Sequence, residues 1–465
     1  MDNNSLAQTW HEKYKIVPEQ FAKTAQINSA ATGFNTNIDA VTKISGKKIS
    51  ELAAEYGVSL SDIKNCPAIS DSPKAVICGI IKCFVGGIAE EWLTSSVAID
   101  EWIEQNIHTE RMQMGGQAGI IANVLALTEA QKILVNTASH PETLSAQFIA
   151  DNRLLAADEN SELVPAHTIS RPHDVPLVHR IIEFDKGDTL TLSEQELTCP
   201  KSNRFIATYD PLNAKMQINK AFADFLLTKG FDYFIFSGYS LLSGADGLIG
   251  AEKSAEFLQS LKQKCPDGIT HLEIASTQDK QIRRYMLEKI ALLSTSLGLN
   301  ERETLDVCEV LFPEVWQKLN KEKLNAVNLF DALVKIKKFT KVKRLQLHIF
   351  GLYVCLQDKD YKFTPKQSLK GMLCASVAAA SKASLGYLQK PQDLTSALKT
   401  NGAKIHFAEL QALAEYLNAP TLLSDGTAEY ENFDLIATPT MLVESPKTLV
   451  GMGDTISSLS LICAR

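Results

Sequence analysis

Short apolar strand candidates alternate with helix-length segments along most of this 465-residue chain, and few folds accommodate that alternation. The strand candidates are rich in β-branched or aromatic residues, and several of the segments between them have helical spacing of apolar residues. The predicted strands are 27–35, 132–138, 177–184, 204–210, 233–239, 270–276, 344–351 and 434–440, and predicted helices start after 119 and at 218, 254 and 279 (279–298). This pattern predicts an α/β fold with helices on both faces of a central, mostly parallel sheet.

The segment from about 165 to 210 departs from this alternation. Its sequence "LVHRIIEF-DKGD-TLTL", followed by "RFIATYD", reads as strand, turn and strand, with Asp185, Gly187 and Asp188 in the turn. Such a pattern is typical of a β-hairpin. We therefore expect a small sheet inserted as a lid or second domain.

The composition limits the class of protein. The formal net charge is −7 without blocks of like charge, which disfavours a dedicated nucleic-acid binder but leaves an anionic substrate open. The nine cysteines are odd in number and never spaced Cys-x-x-Cys, which indicates reduced thiols. The start has no signal-peptide pattern, and the longest near-apolar stretch contains Lys82 and is too short to cross a bilayer. We expect a cytoplasmic monomer or small homo-oligomer without membrane or nucleic-acid partners.

Polar residues alternate at the end of the first predicted strand, in "GFNTNID". Asn35, Asn37 and Asp39 share one side if the backbone stays extended. Amide and carboxylate groups together can pair with several hydroxyls, as a sugar requires. The alternative is an Asn/Asp-rich turn with local side-chain to backbone bonds.

A Gly-Gly pair precedes a predicted helix in "MGGQAGIIAN". Gly115 and Gly116 allow close backbone approach, and a helix starting near Ala118 would offer free N–H groups to a ligand oxygen. The alternative is a tight strand-to-helix turn.

Two acidic motifs follow later strands. In "HLEIAS", His271 and Glu273 point the same way, and a carboxylate at this sheet edge would serve a metal or its waters, or simply pair with the histidine on a half-exposed strand. In "SLGLNERE", Asn300 and Glu303 could hold the waters of Mg²⁺, but the same spacing also forms a helix capping box.

The stretch "LVGMGDTISS" combines glycines, an aspartate and a helix start. Gly451 and Gly453 can adopt turn geometry, and the first N–H groups of a helix beginning near Asp454 would form an anion hole for a transferring phosphoryl group. Asp454 could accept the proton of an attacking hydroxyl. The alternative is that Asp454 only caps its own helix.

The order of these motifs resembles one family. "GFNTNID", "GGQAGIIAN", "NRFIATYD", "HLEIAS", "LGLNERE", "RLQLHIFG" and "VGMGDTIS" look like the successive motifs of the ADP-dependent sugar kinases, the phosphofructokinases and glucokinases of the ribokinase-like superfamily. The resemblance implies a large Rossmann-like nucleotide-binding domain (1–38, 113–167 and 209–465) and a small sheet-bearing lid (39–112 and 168–208). It also implies transfer of the β-phosphoryl group of ADP to a sugar hydroxyl, with Mg²⁺ or another divalent cation, releasing AMP.

The resemblance implies a role for each matching residue. Asp454 matches the catalytic base, and the N–H groups of Gly451, Met452 and Gly453 match the anion hole. The positions that match metal-placing residues are Glu273, Asn300 and Glu303. The positions that match sugar-binding residues are Asn35, Asn37, Asp39, Gly115, Gly116, Gln117 and, in the lid, Glu90, His179 and Arg204, the last reaching a phosphate. The positions expected near the nucleotide are His348, Thr438 and Val450.

The sequence departs from the family at one place and leaves the acceptor sugar open. Tyr239 and Ser240 stand where the family commonly has Leu-Gln. Within the family, glucose use is associated with a lid glutamate, and Glu90 or Glu91 of "GGIAEEWL" falls at about that place.

Basic residues of the hairpin region bear on the same choice. Arg180, Lys186 and Lys201 could hold a sugar phosphate, although such residues are more often solvated. We favour fructose 6-phosphate, with glucose as a second acceptor, and keep an ADP-dependent glucokinase as the alternative. A non-catalytic sugar- or nucleotide-sensing protein on the same fold is a further alternative. A dinucleotide oxidoreductase is disfavoured, because no Gly-x-Gly-x-x-Gly follows the first strand.

Overall fold

A computed structural model describes residues 3–66, 68–274, 277–400 and 402–465 of the chain. The strands of the described residues are β1 (Ala30–Gly33), β2 (Asn37–Lys43), β3 (Ile69–Ser70), β4 (Glu90–Thr94), β5 (Arg111–Gly115), β6 (Ile133–Val135), β7 (Leu154–Ala157), β8 (Leu163–Pro165), β9 (Val178–Phe184), β10 (Thr189–Leu192), β11 (Gln195–Thr198), β12 (Asn203–Tyr209), β13 (Tyr233–Phe236), β14 (Ile269–Glu273), β15 (Ser296–Asn300), β16 (Arg344–Ile349), β17 (Leu352–Asp358), β18 (Ala403–Ile405), β19 (Thr427–Tyr430), β20 (Phe433–Pro439) and β21 (Met441–Val443).

The α-helices of the described residues are α1 (Asn3–Tyr14), α2 (Val17–Ala22), α3 (Gly46–Glu55), α4 (Leu60–Lys64), α5 (Pro73–Gly86), α6 (Val97–Asn106), α7 (Gln117–Ala126), α8 (Glu142–Ser145), α9 (Lys220–Lys229), α10 (Gly244–Lys264), α11 (Lys280–Tyr285), α12 (Glu301–Leu311), α13 (Pro313–Leu319), α14 (Ala326–Thr340), α15 (Pro365–Leu385), α16 (Ala408–Tyr416), α17 (Thr421–Ser424) and α18 (Met452–Ile462). Short turns of other helix types lie at Lys23–Gln26, Ala166–Thr168, Asn213–Lys215, Met286–Ile290, Ala291–Leu293 and Pro391–Lys399. Within the described ranges, no helix is both long and apolar enough to cross a membrane.

The central sheet has eleven strands in the order β19-β20-β17-β16-β15-β14-β13-β1-β6-β7-β8. The seven strands from β16 to β7 are parallel, and the strands at both edges pair antiparallel. Strands β1, β6, β13 and β16 are buried throughout, as expected where helices cover both faces of a parallel sheet. The predicted α/β fold with a mostly parallel sheet is confirmed.

A second sheet has six strands in the order β3-β4-β12-β9-β2-β5. One of its faces carries a hydrophobic core of its own, which includes Phe84, Trp92, Phe184 and Phe205 and is separate from the core of the central sheet. The chain passes from the central sheet into this one between β1 and β2, and it leaves β5 to enter α7. These two connections therefore lie between the two sheets.

The hairpin predicted after residue 165 has different partners in the structure. Strand β9 pairs with β2 and β12, whereas β10 pairs with β11 in a separate two-stranded sheet. The turn folds back because Asp188 accepts a hydrogen bond from the backbone of Gly46, and Leu190 and Leu192 are buried in the core of the six-stranded sheet. Burial of these leucines decides the pairing, and the local turn sequence does not.

The helix predicted over 279–298 ends early. Helix α11 stops at Tyr285, two irregular turns follow, and Ser296–Asn300 forms a parallel strand between β14 and β16. The sheet overrides the helical pattern because these residues complete its buried centre. The last two residues of the predicted strand 270–276 lie outside the described residues.

Candidate active site

The connection between β1 and β2 holds the first set of polar side chains. Asn136 fixes the connection, since its Nδ2 donates to the Phe34 carbonyl at 2.6 Å. Asn37 Nδ2 donates to Asp39 Oδ1 at 3.0 Å. The Oδ1 atoms of Asn35 and Asn37 are buried and have no partner among the described residues. Because buried polar groups are normally paired, these two oxygens are free to accept from the hydroxyls of a ligand.

The Gly-Gly-Gln segment lies against this connection. Gly115 pairs with Asn37 in the β2–β5 ladder, and Gly116 is the N-cap of α7. Gln117 Oε1 accepts from the backbone N–H of Gly238 at 3.0 Å. The structure therefore brings together the strand ends and the helix start that the sequence treated as separate motifs.

Tyr239, which departs from the family pattern, packs against the connection between β1 and β2. Its ring is fully buried and packs edge-on against Phe34 with 6.0 Å between the ring centroids. Its hydroxyl lies 3.2 Å from Ser254 Oγ. Tyr239 therefore has a packing role in the structure.

A buried histidine on β9 is surrounded by carboxylates. His179 Nε2 lies 3.0 Å from Asp210 Oδ2, and its Nδ1 lies 3.6 Å from Glu91 Oε1. Burial alone would lower the pKa of His179, but the hydrogen bond to Asp210 and the surrounding carboxylate charges raise it to about 9. Burial also raises the pKa of Asp39, its neighbour on β2, to about 6. The pair offers a proton donor and a proton acceptor to a polar ligand.

Glu90 is not part of this cluster. Its carboxylate accepts from Lys82 Nζ at 2.9 Å and from Trp92 Nε1 at 2.8 Å, on the face that carries the hydrophobic core. Glu91 points to the opposite face and accepts from Thr208 Oγ1 at 2.8 Å. Because strand side chains alternate, Glu91 and not Glu90 lies on the face of His179, so of the two glutamates that the sequence offered only Glu91 is near this cluster.

Arg204 lies on the same face of β12 as Thr208 but at a distance. The two residues are four positions apart, which corresponds to roughly 13 Å along a strand. Arg204 therefore does not contact the His179 cluster in this structure.

A buried chain of hydrogen bonds leads to Glu273. His271 Nε2 lies 2.7 Å from Glu273 Oε1, and His271 Nδ1 lies 2.8 Å from Ser296 Oγ. Arg344 donates to the same Ser296 oxygen at 3.1 Å. Burial lowers the pKa of His271, which favours its neutral form. Burial opposes ionisation of Glu273, but the hydrogen bond from His271 keeps its pKa below the usual value.

The Asn300–Glu303 motif forms the helix cap that the sequence allowed. Asn300 Oδ1 accepts from the Glu303 N–H at 2.9 Å, and Glu303 Oε2 accepts from the Asn300 N–H at 2.8 Å. Burial raises the pKa of Glu303 well above its usual value, and the charges of Glu273 and Asp454 raise it further. The motif therefore caps α12 and also places the Glu303 carboxyl group close to the carboxylates of Glu273 and Asp454.

These oxygen donors suit a hard divalent cation. Within the described ranges, no three His, Cys, Asp or Glu side chains are arranged to bind an ion directly. A cation held through water would still relieve the repulsion that Glu303 experiences from Glu273 and Asp454. The chemistry of the donor set therefore fits the metal role predicted for Glu273, Asn300 and Glu303.

The last helix begins at Met452, two residues earlier than predicted. Gly451 is its N-cap with φ 63°, in the left-handed region, and Asp454 lies in the first turn, where its carboxylate accepts a hydrogen bond from its own backbone N–H. The free N–H groups of this turn form an anion-binding position. Burial raises the pKa of Asp454 to about 7, and the nearby charge of Lys382 opposes this rise. Asp454 can therefore exchange a proton near neutral pH.

Of the three residues predicted near the nucleotide, His348 and Val450 lie beside this helix start, and Thr438 lies two strands away from His348. His348 Nε2 would lie 3.3 Å from a Cβ at Gly453, and His348 Nδ1 is buried without a partner among the described residues. Thr438 lies in the same row of the sheet, with a buried, unpartnered Oγ1. Val450 instead lines a cavity on the Lys382 side.

The sequence did not identify three of the residues in this arrangement. Asp210 is the last residue of the motif "NRFIATYD", but the sequence predicts no role for it, because only tertiary packing shows that it contacts His179. Lys382 lies within a long helical pattern, and Arg344 within a strand that looks like ordinary core. A charged residue in an otherwise apolar segment was the only available signal.

Comparisons with known proteins agree with this geometry. Residues 28–463 match the ADP-specific phosphofructokinase/glucokinase conserved region. The chain is 28% identical to the ADP-specific phosphofructokinase of Pyrococcus abyssi, over 93% of this chain and 96% of that protein. It is 27% identical to the ADP-dependent glucose/glucosamine kinase of Pyrococcus furiosus, with 98% of each covered.

Comparison with a solved structure also shows similarity to an ADP-dependent kinase. The structure of an ADP-dependent kinase complex with fructose-6-phosphate and ADPβS aligns with a TM-score of 0.84 at 27% identity, over 100% of this chain and 98% of that chain. The resemblance predicted from the motifs and the α/β fold with a second, smaller sheet are confirmed. The chain belongs to the ADP-specific phosphofructokinase/glucokinase family and is an ADP-dependent kinase.

Proposed function

We propose that this protein transfers the β-phosphoryl group of ADP to fructose 6-phosphate, giving fructose 1,6-bisphosphate and AMP, with glucose as a second acceptor. The observation that carries the proposal is Asp454, a buried carboxylate with a pKa of about 7 beside the free N–H groups of a helix start. Similarity to relatives named for both acceptors, and to a kinase solved with fructose-6-phosphate and ADPβS, supports it.

The start of α18 supplies the groups that act on the reacting atoms. Asp454 accepts the proton of the sugar hydroxyl that attacks the phosphoryl group. The N–H groups of Gly451, Met452 and Gly453 hold the phosphoryl oxygens, where the positive end of the helix stabilises their charge. In this proposal, His348, Thr438 and Val450 flank the nucleotide.

The polar set between the two sheets holds the sugar. The unpartnered oxygens of Asn35 and Asn37 accept from sugar hydroxyls, and Asp39 and His179 bind further hydroxyls. Gly115, Gly116 and Gln117 line the side nearest α7. Phosphoryl transfer depends mainly on positioning and charge neutralisation, and this set supplies the positioning.

We further propose that Glu273, Asn300 and Glu303 place Mg²⁺, or another divalent cation, largely through water. The cation would neutralise charge on the ADP oxygens. Asn300 and Glu303 can do this while they cap α12, because each uses only part of its side chain for the cap.

The six-stranded sheet is proposed to act as a lid. In this division, 1–38, 113–167 and 209–465 form the nucleotide-binding domain, and 39–112 and 168–208 form the lid. Closure would exclude water from the phosphoryl group and bring Arg204 towards a phosphate. The separate hydrophobic core of the second sheet supports movement as a unit.

Glu91 favours glucose as the second acceptor. It faces the His179 cluster, and its hydrogen bond to Thr208 fixes its carboxylate there. A carboxylate in this place can accept a hydrogen bond from a free sugar hydroxyl. The same observation supports the alternative of an ADP-dependent glucokinase.

An assay that crosses two donors with two acceptors tests these assignments. ADP or ATP is combined with fructose 6-phosphate or glucose, and AMP, ADP and sugar phosphate are quantified. We expect AMP from ADP with both acceptors and faster turnover with fructose 6-phosphate. Glu91→Gln should slow glucose phosphorylation selectively. Binding of sugar by calorimetry without any phosphorylated product would instead identify a sensing protein.

A further inference from the structure

We propose that Lys382 is a positioning residue for the anion hole, because its ammonium group fixes the Gly451–Met452 peptide so that the Met452 N–H points at the transferring phosphoryl group. The inference deepens the proposed function and rests on it, since it concerns the same helix start. Lys382 itself does not contact the reacting atoms in this proposal.

The contacts of Lys382 are with the backbone that forms the helix start. Lys382 lies near the end of α15, and its Nζ donates to the Gly451 carbonyl at 3.1 Å and lies 3.5 Å from Thr455 Oγ1. The same carbonyl also accepts from Thr455 Oγ1 at 2.8 Å and from the Thr455 N–H at 3.2 Å. One carbonyl oxygen therefore has three donors, which hold it in a single orientation.

The orientation of this carbonyl sets the direction of an N–H group. The Gly451 C=O and the Met452 N–H belong to one planar trans peptide and point in opposite directions. Met452 is the first residue of α18, so its N–H has no acceptor within the helix. By holding the carbonyl on one side, Lys382 directs the N–H to the other side, towards the anion position.

The charge of Lys382 is unusual for its surroundings. Among the described residues, its hydrogen-bond partners are a carbonyl and a hydroxyl, and no carboxylate forms an ion pair with it. Burial lowers its pKa to about 8, although the more distant charges of Asp454 and Asp39 oppose this effect. A partly buried ammonium without a counter-ion is unfavourable for folding alone. It is favourable where a phosphoryl group brings negative charge during the reaction.

A cavity next to Lys382 allows its role to be tested by replacement. The cavity has a volume of about 420 Å³ and is lined by Lys382, Gln113, Ile120 and Val450 among others. An arginine at position 382 would have room for its longer side chain and could still donate to the Gly451 carbonyl. After truncation to alanine, a small alkylammonium ion could enter the space.

The test compares Lys382→Met, Lys382→Arg and Lys382→Ala with Lys366→Met, which changes an exposed lysine at the start of the same helix. We expect Lys382→Met to lower kcat by about 100-fold, as for loss of an oxyanion-hole donor, with the KM for the sugar changed by less than about threefold. Lys382→Arg should keep most of kcat. Ethylammonium should restore part of the kcat of Lys382→Ala, and Lys366→Met should behave as wild type.

The outcomes separate this proposal from the proposed function. Absence of AMP formation by the wild-type enzyme contradicts the function itself. Normal kcat in Lys382→Met, a rise in KM alone, or no response of Lys382→Ala to ethylammonium in an active wild-type background contradicts only the role of Lys382. Thermal unfolding verifies that each variant is folded, and if Lys382→Met is not, ethylammonium rescue of Lys382→Ala decides.

Discussion

At the scale of single residues, the environment of Asp454 determines what the site can do. Its pKa is raised to about 7, mainly by burial and also by the charges of Glu273 and Asp39, against the opposing charge of Lys382. A base with this pKa is partly ionised at neutral pH and still accepts a proton effectively. The same residue in water would be ionised but a much weaker base.

The pH dependence of turnover follows from this pKa. Asp454 must be ionised to act as the base, so we expect kcat/KM to fall about tenfold per pH unit below pH 7 and to level off between pH 7 and pH 8, where Lys382 begins to lose its proton. Lys382→Met removes a charge that favours ionisation, so its acid limb should move to higher pH. A profile that stays flat from pH 8 down to pH 5 in the wild-type enzyme would contradict the assignment of Asp454.

Glu303 allows the metal role to be separated from the capping role. Glu303→Gln keeps an oxygen that can accept from the Asn300 N–H but removes the charge. We expect an unchanged melting temperature and a rise of about tenfold in the Mg²⁺ concentration needed for half-maximal activity.

The matched control is another capping box in the same chain. Asn328→Ala disrupts the cap of α14 and should lower stability by about 1 kcal/mol without changing the Mg²⁺ response. If Glu303→Gln responds to Mg²⁺ as the wild type does, Glu303 only caps its helix.

At the scale of elements, the fit between β14 and β15 places Glu273. Gly298 pairs with Glu273 across these strands, and a Cβ at Gly298 would lie 1.6 Å from Glu273 Oε1. Gly298→Ala should therefore displace the carboxylate and lower kcat by at least about tenfold. Gly402→Ala is the control, because nothing lies within 4 Å of a Cβ there. Equal activity of the two variants would show that the position of Glu273 is unimportant.

The elements also show what a sequence can predict. The strand ends near Asn35 and Glu273 and the helix start at Asp454 can be predicted because their polar residues and neighbouring glycines or histidine are adjacent in the chain, so local pattern carries the information. The sequence does not distinguish Glu90 from Glu91, because strand register is not visible locally and a shift of one residue reverses the face. The partners β9 and β10 were misassigned for a related reason, because the burial of Leu190 and Leu192 decides the pairing.

Contacts between segments that are far apart in the chain cannot be predicted from the sequence. Asp210 reaches His179 from 31 positions along the chain, and Lys382 reaches Gly451 from 69 positions. Neither pair has a characteristic spacing. Such contacts become visible only when the structure shows that both segments fold against each other.

At the scale of the whole molecule, two sheets with separate cores are joined by the connections that carry part of the proposed sugar site. The connections from β1 to β2 and from β5 to α7 cross between them and carry Asn35, Gly116 and Gln117. A movement of one sheet against the other would therefore change the sugar site directly. This arrangement explains how binding of a sugar could be coupled to the exclusion of water from Asp454.

The proposed role of Asp454 in phosphoryl transfer is tested most directly by measuring AMP release from ADP. The wild-type enzyme and Asp454→Ala are compared, with and without fructose 6-phosphate. The wild type should form AMP only when the sugar is present, with one sugar bisphosphate for each AMP. Asp454→Ala should bind ADP and the sugar but turn over at least about 10³-fold more slowly, because the base is missing while the anion hole remains. Robust turnover by the folded Asp454→Ala variant would contradict the central claim.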